Sequence, residues 1–355
     1  MTAEAVGLPA LVAGVILLAL MVYVLLAGAD FGGGVWDLFA GGPRRGRQRE
    51  IIAHAIGPVW EANHVWMIVA VVLLFTAFPR AFSVIMTALH VPVTVMLVGI
   101  VLRGSSFVFR KLDEEIEEER ASHGGVGPGD GPGPGWQVTF AVSSLVTPVM
   151  LGVILGTLST PAIGYEDGVV TGGYLRPWLQ PFPWTVGFLT LALFAWLAAI
   201  YLTLETRDPE LRDDFRRRGL GSGAAVGMLG LVAALLGRGA APEVSNHLLG
   251  TLAGQTMVAV GLLSWFAAMA LLARRHWVLA RLAAGSTTLA LLAGWGFGMY
   301  PWLVAGAVSI PEAAAPDVTL RLVLGILAAG TFLLVPAFAY LYWVFKEQVL
   351  FPGRG

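Results

Sequence analysis

Nine apolar runs punctuate this chain, most of them about 20 residues long, the length a helix needs to cross the hydrocarbon core of a bilayer. They are Leu8 to Gly28, Ile51 to Phe78, Ala81 to Leu102, Val138 to Leu158, Trp184 to Leu204, Gly223 to Leu236, Leu252 to Ala273, Trp277 to Met299 and Leu320 to Val344. The sixth is the shortest and is rich in Gly and Ala. Hydrophobic residues make up 57% of the chain and charged residues 13%, against about 25% charged in an ordinary soluble domain. A soluble fold of 355 residues has too little interior to hide that much apolar surface. The expected class is therefore an all-α, polytopic integral membrane protein with nine transmembrane helices.

The basic residues orient the spans, because Lys and Arg accumulate on the cytoplasmic side. With the N-terminus outside and the C-terminus inside, the inner segments hold 18 of the 22 Lys and Arg residues. The outer segments hold Arg80, Arg176, Arg238 and Arg321. Removing the short sixth span would scramble this pattern after Arg218. Residues 1–355 read as a single transmembrane domain. Spans 1–4 (residues 1–160) and spans 5–9 (residues 161–355) suggest two four-helix bundles plus one peripheral helix. An inner loop over 111–135 carries DEEIEEER, a solvated helix end, and then a Gly/Pro-rich flexible linker. No cysteine is present, which excludes thiolate metal sites, disulfides and thiol catalysis. The net charge of -1 gives no sign of nucleic-acid binding. No basic segment precedes the first apolar run, so a cleaved leader is not expected.

Polar residues inside apolar spans are costly and mark pathways or sites. The second run carries His54, Pro58, Trp60, Glu61, Asn63, His64 and Trp66. If its helix enters near Ile51, Glu61 lies about 15 Å deep. His54 at i−7 and His64 at i+3 can share its face. A row of His, Glu and His has the make-up of a proton relay. The competing reading is a neutral or hydrogen-bonded Glu61 that only holds helices together. Asp30 stands beside Gly32, Gly33 and Gly34, which either weaken the helix or let a neighbour approach closely. Asp37 follows on the same face, and an ordinary interfacial acid is an equal reading there. Arg103 reads as a snorkelling anchor on base rates, or as a partner of Asp30 or Glu61. A two-histidine haem site would need facing imidazoles at similar depth. His64 and His90 are the candidates, although hydrogen-bonded packing is the commoner role. The aromatics between Pro161 and Pro183 suggest an interfacial belt, and MYPWLV a helix stop. The small residues of GVILG and GWGFG suggest close helix packing.

At these residues the chain resembles subunit II of cytochrome bd-type quinol oxidases. GADFGGGVWDL, GPVWEANHVW and FPRAF look like the family's first two helices and the turn after them. LVTPVMLGVILGTL is similar to the fourth helix, and GMYPWLV, SIPEAAAPDVTL and LLVPAFAYLYWVF to the eighth and ninth. The resemblance implies a bacterial cytoplasmic (inner) membrane protein that pairs with a homologous subunit I. The pair would oxidise quinol and reduce dioxygen to water, with two b-type haems and one d-type haem in subunit I. This chain would hold no catalytic residue and no metal. It would support subunit I and supply part of a proton path, Asp30 and Glu61 being its acids and His54 and His64 standing beside them. Trp66 matches an oxygen-route position and Arg103 an arginine ending the third helix, with Trp60 as a structural neighbour. A structural quinone and a small accessory subunit are further possibilities of the family. Two departures stand out. Relatives often have Asp where Glu61 stands, and some carry a carboxylate shortly before the Asp30 position, where this chain reads LLAGA. His64, where some relatives have Gln, supplies another protonatable group.

Two rival readings follow from the same residues. One is a scaffold subunit without proton traffic. The other is an ion-coupled secondary transporter using Asp30 and Glu61, for which paired helix interruptions in the two halves are the expected sign. Glycine interrupts near Asp30, and the second half has no match.

Overall fold

The computed structural model describes residues 7–56, 60–122 and 134–350, with backbone alone for 60–62, 110–122, 341–350 and a few single positions. Among the described residues, six helices are long and apolar enough to cross a membrane. These are α1 (Leu8–Leu38), α6 (Pro134–Leu158), α7 (Pro181–Glu205), α8 (Pro209–Ala240), α10 (Leu252–Ala273) and α11 (Trp277–Met299). The remaining helices are α2 (Arg45–Ile56), α3 (Trp60–Ala77), α4 (Pro79–Ala88), α5 (His90–Ser122), α9 (Pro242–Gly250), α12 (Ile310–Ala313) and α13 (Asp317–Leu350). Two antiparallel hairpins, β1 (Gly164–Glu166) with β2 (Val169–Thr171) and β3 (Trp302–Val304) with β4 (Val308–Ser309), cap the other connections.

Local chemistry sets many of these ends. Proline, which has no N–H to lose, opens α1, α4, α7, α8, α9 and α12 within the first two positions. The Asp208 side chain caps α8 by accepting from the amides of Glu210 and Leu211. Ser309 and Glu312 form a reciprocal capping box on α12.

The described parts of the nine expected stretches fall mostly in helices, of which six have the length and apolarity of a span and the bent α3–α4 pair would make a seventh, with three differences in detail. The second stretch is divided between α2 and α3, with 57–59 outside the described residues. The third stretch is not one helix from Ala81. α3 and α4 meet at Phe78 with a bend of 115°, and α5 starts afresh at His90. Pro79 explains the first break, since it cannot continue the hydrogen-bond ladder of α3. The sixth stretch, expected to be short, belongs to the 32-residue α8. Its polar first turns are helical because tertiary contacts and the Asp208 cap support them. The acidic run to Arg120 continues α5 by its backbone.

Helix contacts follow the small residues, since packing rather than water exclusion drives association in lipid. α7 packs against α1, α6 and α8. A Cβ at Gly152 would lie 2.6 Å from the Val186 carbonyl, and one at Gly156 would lie 2.8 Å from Pro183 Cα. The expected close packing of GVILG is thus the α6–α7 contact. α13 leaves Leu322, Ile326, Phe332 and Leu333 exposed. One end of the molecule gathers the charges. Arg44 meets Asp214, Arg47 meets Asp208 and Arg275 meets Asp213. The α1–α2, α7–α8 and α10–α11 connections therefore share a basic end.

Candidate functional site

The buried charges of the described chain centre on α1, α5 and α6. Asp30 is 4% exposed and Arg103 2% exposed. Arg103 Nη2 donates to Asp30 Oδ1 at 2.6 Å and Nη1 to Oδ2 at 2.9 Å, a fork-on-fork pair. Nη2 also reaches the Asp30 carbonyl at 2.9 Å, and Nε donates to Ser144 Oγ at 3.1 Å. The guanidinium lies 4.7 Å from the Phe31 ring centroid and 4.9 Å from that of Phe140. Arg103 is therefore no snorkelling anchor. A long cation at a helix end does snorkel when water is near, but here a carboxylate and two aromatic faces meet it inside the protein.

Glycine makes this approach possible. A Cβ at Gly34 would overlap the Ser144 hydroxyl, and one at Gly32 would overlap the Phe194 carbonyl of α7. α1 runs unbroken through all three glycines to Leu38. Gly32 and Gly34 serve close approach, not interruption. Trp36 Nε1 donates to the Ala195 carbonyl at 2.7 Å and fixes the same α1–α7 contact.

α3 brings the second set of polar groups to α1. His64 is half-buried, its ring 6.1 Å from Tyr23 and 5.9 Å from Phe31. Asn63 Nδ2 lies 3.5 Å from the Leu26 carbonyl, one helical turn before Asp30. Trp66 packs partly buried against the core. Glu61 and Trp60 lie in α3 by their backbone, and their side chains fall outside the described residues. His54 is exposed on α2, in a cleft with Glu50 and Glu205 at the basic end. Asp37 is buried, 3.7 Å from Arg49 Nε. Asp30, Phe31, His64 and Arg103 thus come together, while His54 stands apart.

His64 and His90 do not form a pair. His90 starts α5, its Nδ1 3.0 Å from the Thr87 carbonyl and its ring 5.2 Å from Tyr174. Among the described residues the two histidines have separate neighbours, His64 against Tyr23 and Phe31 and His90 against Tyr174. No group of three His, Asp or Glu side chains that could hold a metal forms among the described residues.

Tyr23 and Ser144 are not among the sequence candidates, while Asn63 belongs to the polar set of the second run. Ser143, Ser144 and Thr147 stand at i, i+1 and i+4 in an apolar span, a hydroxyl stripe that signals a polar contact on that face.

The profile of the family described as cytochrome bd terminal oxidase subunit II matches residues 8–345. The chain belongs to that family. The cytochrome bd ubiquinol oxidase subunit 2 of Bacillus subtilis is 29% identical over 136 residues, covering 38% of this chain and 36% of the relative. The cytochrome bd-I ubiquinol oxidase subunit 2 of Escherichia coli K12 is 26% identical over 200 residues, covering 55% and 48%. The chain thus spans about half, or less, of these curated relatives. A chain of the bd oxidase from Geobacillus thermodenitrificans has the same fold, with a TM-score of 0.74, 21% identity, and 95% of this chain and 98% of that chain covered.

Proposed function

We propose that this chain is the haem-free second subunit of a membrane quinol:dioxygen oxidoreductase. It would pair with a homologous haem-bearing subunit I. The complex would convert two quinols and one dioxygen into two quinones and two waters. Four protons would leave the quinols on the outer side and four would enter from the inner side, so charge separates without pumping. Family membership over residues 8–345 is the observation that carries this reading.

Within that complex the chain would span the membrane nine times, N-terminus outside, as two four-helix groups with α13 peripheral. The shared basic end would then be the cytoplasmic one, as the distribution of Lys and Arg requires. The b- and d-type haems would reside in subunit I. A structural quinone, where present, would rest its tail in the apolar cleft of about 410 Å³ between α1, α10 and α11, lined by Leu17, Leu20, Met257 and Phe297.

The proton path assigns different work to the two acids. Asp30 is clamped by Arg103 on both carboxylate oxygens, so it would hold α5 to α1 beside the path. Glu61 and His64, on α3 beside it, would carry the proton, with His54 at the entrance. Trp66 would line an oxygen route. The test is co-purification. The reading expects this chain to leave the membrane with a partner that shows b- and d-type haem absorbance and consumes oxygen with quinol. Isolation without such a partner contradicts it.

A further inference from the structure

We propose that a pocket at the basic end, between the α1–α2 turn and α8, binds the phosphodiester headgroup of an anionic phospholipid. The pocket has a volume of about 300 Å³ and is lined by Gly42, Arg44, Gln48, Asp214, Arg217 and Arg218 among others. This inference rests on the chain being a membrane protein, and not on the oxidase chemistry.

Charge is the first ground. Three guanidiniums and one carboxylate line this pocket. Asp214 is already saturated. Arg44 grips both its oxygens, at 2.8 and 2.7 Å, and Gln48 Nε2 donates to Oδ2 at 2.9 Å. Two further acids reach these arginines: Glu210 lies 3.4 Å from Arg44 Nη1, and Asp213 is shared by Arg216, Arg217 and Arg275. Arg218 has no carboxylate partner among the described residues. Its Nη2 donates to Gln48 Oε1 at 2.8 Å and to the Phe39 carbonyl at 3.1 Å. Its Nη1 has no hydrogen-bond partner. Asp214 acts on the Arg218 charge only through space, and a guanidinium with an unpartnered N–H beside an open basic cavity favours an anion there.

Shape and surroundings are the second ground. Gly42 has φ +75°, and a Cβ there would meet nothing within 4 Å, so the turn leaves the pocket open. Trp36 and Phe215 lie 5.5 and 5.6 Å from the Arg218 guanidinium and hold it in place. Leu38 and Phe39, which end α1 beside Arg218, are 43% and 62% exposed. A basic pocket bordered by exposed apolar side chains at the end of a span suits an amphiphile, with its head among the arginines and its chains along the helices. A free phosphate would use only the pocket and leave Leu38 and Phe39 unexplained.

The experiment measures thermal unfolding of the delipidated, detergent-solubilised complex. Phosphatidylglycerol, phosphatidylcholine and inorganic phosphate are titrated separately. Phosphatidylglycerol should raise the unfolding temperature in a saturable way, and neither of the others should. Arg217→Glu, whose side chain is 75% exposed, should weaken that response by about tenfold or more, the scale of one charge-assisted contact. Arg217→Gln with Arg218→Gln should abolish it. If the double variant does not fold, the single variant decides. A full phosphatidylglycerol response in Arg217→Glu overturns the proposal, and so does an equal response to inorganic phosphate.

Discussion

Arg103 Nη2 lies 2.6 Å from Asp30 Oδ1, and each side chain is nearly inaccessible to solvent. The pair ties α5 to α1 at a depth where neither charge has water to fall back on. Removing one partner leaves the other buried and uncompensated, at a cost of about 3–5 kcal/mol. Arg103→Gln and Asp30→Asn should each lower complex yield and unfolding temperature markedly. The double variant should be less destabilised than the sum of the two singles. Arg103→Lys should rescue only in part, because an ammonium cannot form the bidentate fork. Thermal unfolding of the four proteins closes the cycle. Strict additivity would contradict the pairing.

Glycine positions offer a second check. Gly32→Ala and Gly34→Ala would drive a methyl into the Phe194 carbonyl and the Ser144 hydroxyl. Overpacking of this kind typically costs about 1–3 kcal/mol. Gly14→Ala, on the same helix with nothing within 4 Å, should be neutral or slightly stabilising, since alanine favours the helix. Unfolding temperatures of the three variants in one detergent compare them directly.

The pattern of apolar runs and basic loops made the helices legible, because a lipid-facing span must be apolar throughout its length. Composition does not mark the break at Phe78, where the apolar character continues while Pro79 turns the chain. Arg103 was harder. Its place at the end of an apolar run matches a snorkelling anchor, and only the arrangement of α1 and α6 shows that a carboxylate and two rings surround it. Pairing is a tertiary fact that composition does not encode. His54 and Glu61 looked like one row on a single continuous helix. The structure places His54 on α2 at the basic end, and the Glu61 side chain lies outside the described residues.

The basic end should respond to acid. The carboxyl of Asp208 is held below its usual range, chiefly because the Glu210 amide donates to it, with help from the Leu211 amide and Arg47. A carboxylate with a depressed folded value stabilises the fold above the unfolded value, about pH 4, and loses that contribution as pH falls through the folded value. Asp208→Asn should therefore unfold at a lower temperature than the parent from pH 6 to 8, by a constant gap. Below about pH 4 the gap should close. A gap that widens on acidification would reverse the assigned sign. Glu312, depressed by the hydroxyl and amide of Ser309, should behave alike on the opposite hairpin.

The proposed work of α3 is to carry protons for chemistry performed in a partner subunit. Proton uptake during turnover of the complex containing Glu61→Gln tests it most directly, with oxygen consumption recorded in parallel. The prediction is an assembled complex with its full haem spectrum, and turnover and proton uptake both lowered by tenfold or more, about the effect of removing a positioned proton carrier. Normal turnover and normal uptake in an assembled Glu61→Gln complex would contradict it and leave the chain a scaffold.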